Sequence, residues 1–141
     1  MKFDFSVHAR TGRVGGLTMS LVAGSGDAGV WMDETAFGFV EPCVRRAWPA
    51  YSGYAHWGRT RIPITAWHDV VAQMLALRTS LLAAGGADDV VGIGFLFKHL
   101  RPEFARRFDE IRPGIVAMID AIVAWSARDC AHAECVTILG V

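Results

Sequence analysis

The chain of 141 residues lacks an excess of charge of either sign, because fourteen lysines and arginines balance fourteen aspartates and glutamates. Zero net charge disfavours a protein that binds nucleic acid by bulk electrostatics, since neutralising phosphates needs a cationic surface. Intrinsic disorder is excluded, because 52% of the residues are hydrophobic and disordered chains combine low hydrophobicity with high net charge. The length predicts a single globular domain, residues 1–141, with a substantial core.

Long apolar runs and paired cysteines are also missing. A membrane-spanning helix needs about 20 consecutive apolar residues, and the longest candidate, residues 114–127, is shorter and contains Asp120. The three cysteines are an odd number, and residues 1–5 show no signal-peptide pattern. We therefore expect a cytoplasmic protein with no disulfide framework and no membrane contact.

Familiar motifs for metals, phosphates and nucleophilic catalysis are absent too. No two of the five histidines have the helical ligand spacing of three or four residues, and there is no Cys-x-x-Cys. Cys130, His132 and Cys135 lie close together, but no fourth zinc ligand can be nominated. The glycine-rich residues 24–29 lack the lysine of a phosphate loop. The sequence therefore predicts no catalytic residue, no metal and no cofactor.

Period-two alternation of apolar residues predicts strands near both ends of the chain. Residues 3–9 and 14–22 alternate in this way, and a turn between them predicts an N-terminal hairpin. Residues 35–40 predict a third strand. Residues 134–139 are β-compatible, and we expect them to join the N-terminal strands so that their backbone groups are paired.

Helical periodicity dominates the rest of the sequence. Apolar residues recur at helical spacing over residues 65–84, with Thr65 as the expected N-cap, and over residues 113–129, which should form the most buried helix. A short helical turn is predicted from Pro42 to Trp48.

Two segments are less regular. Residues 90–97 are compatible with a strand or a helix, and the spacing that continues beyond them favours a helix over residues 89–110, broken near Pro102. Residues 49–63 are predicted to be irregular. The order of elements predicts an α+β fold, in which three to four helices pack on a small antiparallel sheet made of the N-terminal hairpin and the C-terminal strand.

One window, residues 45–67, stands out in composition. It contains both tyrosines, three of the five tryptophans and four arginines, although the chain holds twelve arginines and only two lysines in all. Trp, Tyr and Arg dominate the energetics of protein–protein interfaces, and loops often carry function. The candidate partner-binding residues of this window are Arg45, Arg46, Trp48, Tyr51, Tyr54, His56, Trp57, Arg59 and Arg61.

The chain resembles the immunity proteins of bacterial polymorphic-toxin systems, in particular those of contact-dependent growth inhibition. The resemblance rests on residues 36–42 (AFGFVEP), 61–67 (RIPITAW), 119–125 (IxxIVxW) and 135–141 (CVTILGV). It covers most of the chain from about residue 35 onward. These motifs are patterns of residue type, and none of them carries a catalytic signature.

The resemblance implies a cytosolic inhibitor that is not an enzyme. Such a protein binds the C-terminal toxin domain delivered by a neighbouring cell, often a nuclease, and blocks its active site or its access to substrate. Immunity proteins against nucleases are often acidic, whereas this chain is neutral and would rely on aromatic anchors and local charge patches. Asp33, Glu34 and Glu41 could meet basic groups of the toxin. The oligomeric state stays open.

Two alternatives belong to other functional classes. A small ligand-binding protein or enzyme would use a pocket lined by His56, Trp57, His68 and Cys43, with shifted pKa values inside it. A structural subunit would use the terminal strand for edge pairing.

Overall fold

The computed structural model describes residues 2–11, 15–24, 26, 28–52 and 58–140. The strands are β1 (His8–Arg10), β2 (Thr18–Ala23), β3 (Gly29–Asp33), β4 (Arg59–Pro63) and β5 (Cys135–Gly140). The helices are α1 (Glu34–Gly38), α2 (Glu41–Ala47), α3 (Ile64–Ala83), α4 (Leu100–Arg106) and α5 (Phe108–Asp129), with a 3₁₀ turn at Ala87–Asp89.

The strands form one antiparallel sheet in the order β1-β3-β2-β5-β4. The α+β fold predicted from the sequence is confirmed. The C-terminal strand joins the N-terminal strands as expected, because β5 lies between β2 and β4. Its residues Val136 and Ile138 are fully buried, so the end of the chain occupies the middle of the sheet.

The helices lie on one face of this sheet. Residues in register on paired strands share a face, and one such row, Val30–Leu21–Ile138, belongs to the same buried cluster as the apolar side chains of the helices. Val22 and Leu139 alternate with these residues and are also buried, but they are not part of that cluster. They therefore belong to the second face, on which none of the described helices packs.

The N-terminal hairpin is built from other strands than the sequence suggested. β1 covers only His8–Arg10 and pairs with β3, so residues 3–9 and 14–22 are not neighbours. The hairpin in the structure consists of β2 and β3. Alternation shows which residues form strands, but it does not show which strands pair.

Residues 35–40 do not form the predicted third strand. They belong to α1 and the turn after it, and all of 36–40 are buried. A strand exposed on one face would hide only alternate residues. Here Asp33 caps the helix by accepting a hydrogen bond from the Thr35 amide at 3.4 Å, which favours helical over extended backbone.

The helix predicted over residues 89–110 is wrong in its first half. Residues 90–99 hold no regular element, Gly92 has φ of +90°, and the Gly94 amide donates to the Phe39 carbonyl at 3.1 Å. A Cβ at Gly94 would lie 2.4 Å from the Pro42 ring, so this backbone is pressed against α2. Pro102 lies in the first turn of α4, where proline is tolerated.

The long helices are confirmed with shifted ends. α3 matches the predicted 65–84, but Thr65 is not its N-cap, because the helix begins after Pro63 without a side-chain cap. α5 begins at Phe108 and includes Pro113, where the sequence predicted a start at 113. The Arg107 guanidinium forms an ion pair with the Glu110 carboxylate at 2.8 Å, which stabilises the first turn of α5.

Residues 59–63, which the sequence predicts to be irregular, form β4. Within the described part of the chain, no helix combines the length and the apolar character that a membrane crossing requires.

Candidate functional site

The fold divides the predicted partner-binding residues among three places. Glu41, Arg45, Arg46, Trp48 and Tyr51 lie on or just after α2, Asp33 and Glu34 lie where β3 meets α1, and Arg59 and Arg61 lie on β4. Tyr54, His56 and Trp57 lie outside the described residues. The described members of the predicted set therefore lie on three different parts of the fold.

The residues at α2 are occupied by contacts with one another. The Arg45 guanidinium bonds the Glu41 carboxylate at 2.9 Å and lies 5.5 Å from the centre of the Tyr51 ring. The Tyr51 side chain is buried, and its ring lies 6.5 Å from that of Trp48. Charge and aromatic surface at this place are thus largely satisfied within the chain.

Arg46 connects α2 to two other parts of the molecule. Its Nε donates to the Gln73 amide oxygen of α3 at 2.8 Å, and its Nη1 donates to the Gly92 carbonyl at 3.1 Å. A third contact joins Nη2 to the Cys43 sulfur at 3.6 Å. Because three groups hold this guanidinium, its role is structural.

The Cys43 thiol next to Arg46 does not have the properties of an activated nucleophile. It is fully buried, and burial raises its pKa to about 11, an effect that the nearby Arg46 charge only partly offsets. Burial also raises the pKa of Cys130 to about 11. Nucleophilic cysteines have lowered pKa values, so both of these thiols are protonated at neutral pH.

The acidic pair Asp33 and Glu34, where β3 meets α1, has a structural role that the sequence did not predict. Asp33 is the N-cap of α1, and burial raises the pKa of its carboxyl group. Glu34 follows in the first turn, where negative charge is favourable at a helix N-terminus. Both side chains are only partly accessible.

Arg59 and Arg61 differ from the other arginines. Both are exposed, and within the described chain neither side chain makes an ion pair, a hydrogen bond or a ring contact. Every other described arginine has a partner in the chain. Residues two apart on a strand point to the same side, about 7 Å from one another. Two guanidinium groups therefore stand side by side on β4, and no described residue uses their hydrogen-bonding capacity.

The second face of the sheet places these arginines in rows with residues that sequence reasoning missed. The register gives one row His8–Trp31–Ser20–Leu139–Arg59 and a second row Arg10–Gly29–Val22–Thr137–Arg61. The His8 and Trp31 rings stack at 4.2 Å at the far end of the first row. The β1 end of the face thus carries an aromatic stack beside the buried Arg10, and the β4 end carries two exposed arginines.

The centre of this face is closed. Ser20, Val22, Thr137 and Leu139 are all buried, and the Thr137 hydroxyl donates to the Gly24 carbonyl at 2.6 Å, so the turn after β2 lies against the sheet. Accessible surface remains at the rim. The signal that could have found His8 and Trp31 is their alternation within strands, but it becomes useful only when the pairing is known.

The pocket proposed around Cys43 and His68 is not formed by those residues together. His68 lines a shallow groove of about 240 Å³ between α3 and α5, with Val71, Val123 and Cys130 among its other walls. Cys43 faces Arg46 and Gln73 on another side of α3. In the described ranges, no three His, Cys, Asp or Glu side chains are grouped so that they could hold a metal ion.

Comparison of the chain with protein-family models, with curated proteins and with solved structures gives no match.

Proposed function

We propose that this chain is a partner-binding immunity protein that neutralises a C-terminal toxin domain, with Arg59 and Arg61 among its anchors. The observation that carries the proposal is the contrast between these two arginines, which are exposed and without a partner in the described chain, and the others, which are engaged. Guanidinium groups recognise carboxylates in bidentate geometry, and arginine is enriched among interface hot spots.

The resemblance in residues 36–42, 61–67, 119–125 and 135–141 supports a toxin domain as the partner. The balanced net charge supports a partner that is recognised by local patches. In this proposal the partner is a protein, with no direct contact to nucleic acid or membrane, and binding occurs in the cytoplasm. Inhibition follows from covering the toxin's active site or its access to substrate.

The proposal assigns no catalytic step to the chain. The raised pKa values of the Cys43 and Cys130 thiols support this, because a thiol that is protonated at neutral pH is a poor nucleophile. The chain would act by occupancy alone, so one molecule would protect against one toxin molecule.

The experiment combines growth and binding. The C-terminal domain encoded directly upstream of this chain's gene, where the proposal places the toxin, is expressed in bacteria with and without the chain. The affinity of the two purified proteins is measured by titration calorimetry. We expect the chain to restore growth and to bind the toxin domain. If the chain leaves growth unrestored and shows no binding, the proposed function is wrong.

Variants then test the anchors. The double variant Arg59→Ala/Arg61→Ala should weaken binding by about tenfold or more, since truncating a hot-spot side chain has effects of this size. Arg128→Ala is the matched control, because Arg128 is exposed on α5 and bonded only to the adjacent Asp129. Equal affinity of the double variant and the wild type would show that toxin binding uses another surface.

A second candidate function, binding of a small apolar ligand, is favoured by the groove at His68. Its volume of about 240 Å³ is slightly below the usual range for ligand pockets of about 300–1,000 Å³. An NMR titration with indole would test it. Shifts confined to the groove and abolished by Val123→Trp would support ligand binding, and dispersed shifts would contradict it.

A further inference from the structure

β4 is an edge strand whose backbone has one side in use. It pairs with β5 alone, and on its other side no described strand lies beside it. The Gly140 amide donates to the Gly58 carbonyl at 2.9 Å, and the Ile64 amide donates to the Glu134 carbonyl at 3.0 Å. These two bonds fix which residues of β4 face β5.

In an antiparallel pair, residues that bond to the neighbour alternate with residues whose N–H and C=O groups point away from it. Gly58 and Ile64 bond to β5, so Thr60 and Ile62 between them do too, and Arg59 and Arg61 direct their backbone groups outward. The two residues with unused guanidinium groups are therefore the two residues with outward-pointing peptide groups.

This arrangement suits an extended peptide better than a nucleic acid. Each of Arg59 and Arg61 presents an outward N–H and an outward C=O at the same edge. A carbonyl must receive a hydrogen bond from a donor, which a strand supplies at every second residue and a phosphate backbone does not. A peptide strand can therefore satisfy all of these groups.

The side chains define the composition of that peptide. A residue directly opposite Arg59 or Arg61 in an added strand has its side chain on the same face, with the Cβ atoms about 5 Å apart. Carboxylates at two alternating positions of the incoming strand would meet both guanidinium groups. A second copy of β4 is a poor occupant, because antiparallel pairing would oppose arginine to arginine.

Pro63 limits the length of the added strand. It has no N–H, and α3 begins at the next residue, so on this side the ladder of paired N–H and C=O groups would end at Arg61. A short, positively charged edge is protected against indiscriminate pairing. Recognition would thus depend on the charges as much as on the backbone.

We infer that the edge of β4 accepts an extended acidic segment of a protein partner as an added sixth strand, with carboxylates at alternating positions opposite Arg59 and Arg61. This mode of binding deepens the proposed function, since that function supplies the protein partner. It also makes a claim about chemistry that can be tested without the toxin.

The first test uses the full chain and two capped peptides of equal composition. The alternating peptide is acetyl-Thr-Glu-Val-Glu-Thr-amide, and the adjacent peptide is acetyl-Thr-Val-Glu-Glu-Thr-amide. Affinities are measured by following the backbone amide signals of β4 in NMR titrations. We expect the alternating peptide to bind about threefold to tenfold more tightly, because only there can both carboxylates face the arginines.

The second test separates the backbone from the charge. Arg61→Ala removes the guanidinium, whereas Arg61→Pro also removes an outward N–H without breaking a bond to β5. We expect affinity for the alternating peptide to fall about threefold in the alanine variant and a further threefold or more in the proline variant. If the proline variant does not fold, methylating the amide nitrogen of one glutamate of the alternating peptide removes a strand donor to β4, because in antiparallel pairing the residues directly opposite Arg59 and Arg61 make the bonds, with the same expected loss.

Several outcomes would overturn the inference. They are undetectable binding of the alternating peptide, equal affinity for the two peptides, or a methylated peptide that binds as well as its parent. Tighter binding of an oligothymidylate of about ten nucleotides, lost in Arg59→Ala/Arg61→Ala, would identify a phosphate site instead. If the toxin domain binds while these peptide tests fail, the proposed function stands without this binding mode. If the peptides bind and the toxin domain does not, the binding mode stands and the proposed function falls.

Discussion

Two pairs of arginines from the same stretch of sequence differ in whether the described fold engages their side chains. Arg45 and Arg46 on α2 are held by Glu41, Tyr51, Gln73 and Gly92. Arg59 and Arg61 on β4 have no side-chain partner among the described residues. Composition treats the four alike, and the difference arises from where the fold places each pair: α2 packs against α3, while β4 is the last strand of the sheet.

In the helical layer the arginine side chains are engaged by contacts within the chain, whereas at the sheet edge they are available to a partner. An arginine that bridges two elements contributes to stability and cannot contribute fully to a partner as well. An arginine on an edge strand contributes little to stability and is ready for a partner. Substitutions in each region test this difference.

The largest expected effect on stability lies in the core between α3 and α5. Trp67 of α3 is fully buried, and its indole N–H donates to the Ser126 hydroxyl of α5 at 2.7 Å. Trp67→Ala should lower the free energy of unfolding by about 3–5 kcal/mol, measured by urea denaturation. Trp67→Phe keeps most of the packing and should lose about 1–2 kcal/mol, mainly because the hydrogen bond is lost. A loss below about 1 kcal/mol for the alanine variant would contradict the packing of α3 on α5.

The next effect concerns the cysteines of the two regions. Burial raises the Cys43 pKa to about 11 from an ordinary 9.0, so near pH 8 its thiolate fraction is about a hundredfold below that of an ordinary thiol. Cys135 on β5 is partly exposed. In the native protein, iodoacetamide should therefore modify Cys135 first, as read by mass spectrometry, and should reach Cys43 and Cys130 only after unfolding. Early modification of Cys43 would show that the helical layer opens.

A smaller effect is expected at the arginine that bridges the helical layer. Arg46→Ala removes the bonds to Gln73 and Gly92 and should lower the free energy of unfolding by about 1–2 kcal/mol. Arg45→Ala is the control on the same helix, because an exposed i,i+4 ion pair contributes about 0.5 kcal/mol or less. Equal effects of the two substitutions would remove the distinction between a bridging and a surface arginine.

The smallest effect on stability is expected at the sheet edge. Arg59→Ala and Arg61→Ala should each change the free energy of unfolding by no more than about 0.5 kcal/mol, since neither side chain has a described partner to lose. The same urea denaturation measures this. A loss of unfolding free energy above about 1 kcal/mol would show that these arginines stabilise the fold. It would contradict the view that their side chains are available to a partner.

The sequence predicted some parts of the molecule well because their signals are local. Helical periodicity found α3 and most of α5, and Pro42 marked the start of α2. The strand at the C-terminus was found from β-branched residues. The failures have different causes. Residues 90–99 are an apolar segment whose conformation is set by contacts with a distant element, such as Gly94 against Pro42, whereas residues 35–40 become helical at the local Asp33 cap.

For the candidate site too, local signals selected residues, but tertiary contacts decided their roles. Arg59 and Arg61 were among the residues that composition selected. So were Arg46, which bonds Gln73 on α3, and Tyr51, which is buried. Asp33 was proposed for a partner and caps a helix instead. His8 and Trp31 escaped selection because the two residues stack only through the pairing of β1 with β3.

Composition and periodicity act over a few residues at a time, and they were enough to predict a neutral, hydrophobic chain that forms an α+β domain with long helices and strands at both ends. The fold as a whole places the C-terminal strand in the middle of the sheet and β4 at its edge. Strand order depends on contacts between distant parts of the chain, and no local pattern records it. That order made Arg59 and Arg61, of the arginines described, the two with both a guanidinium and an outward-facing backbone to offer.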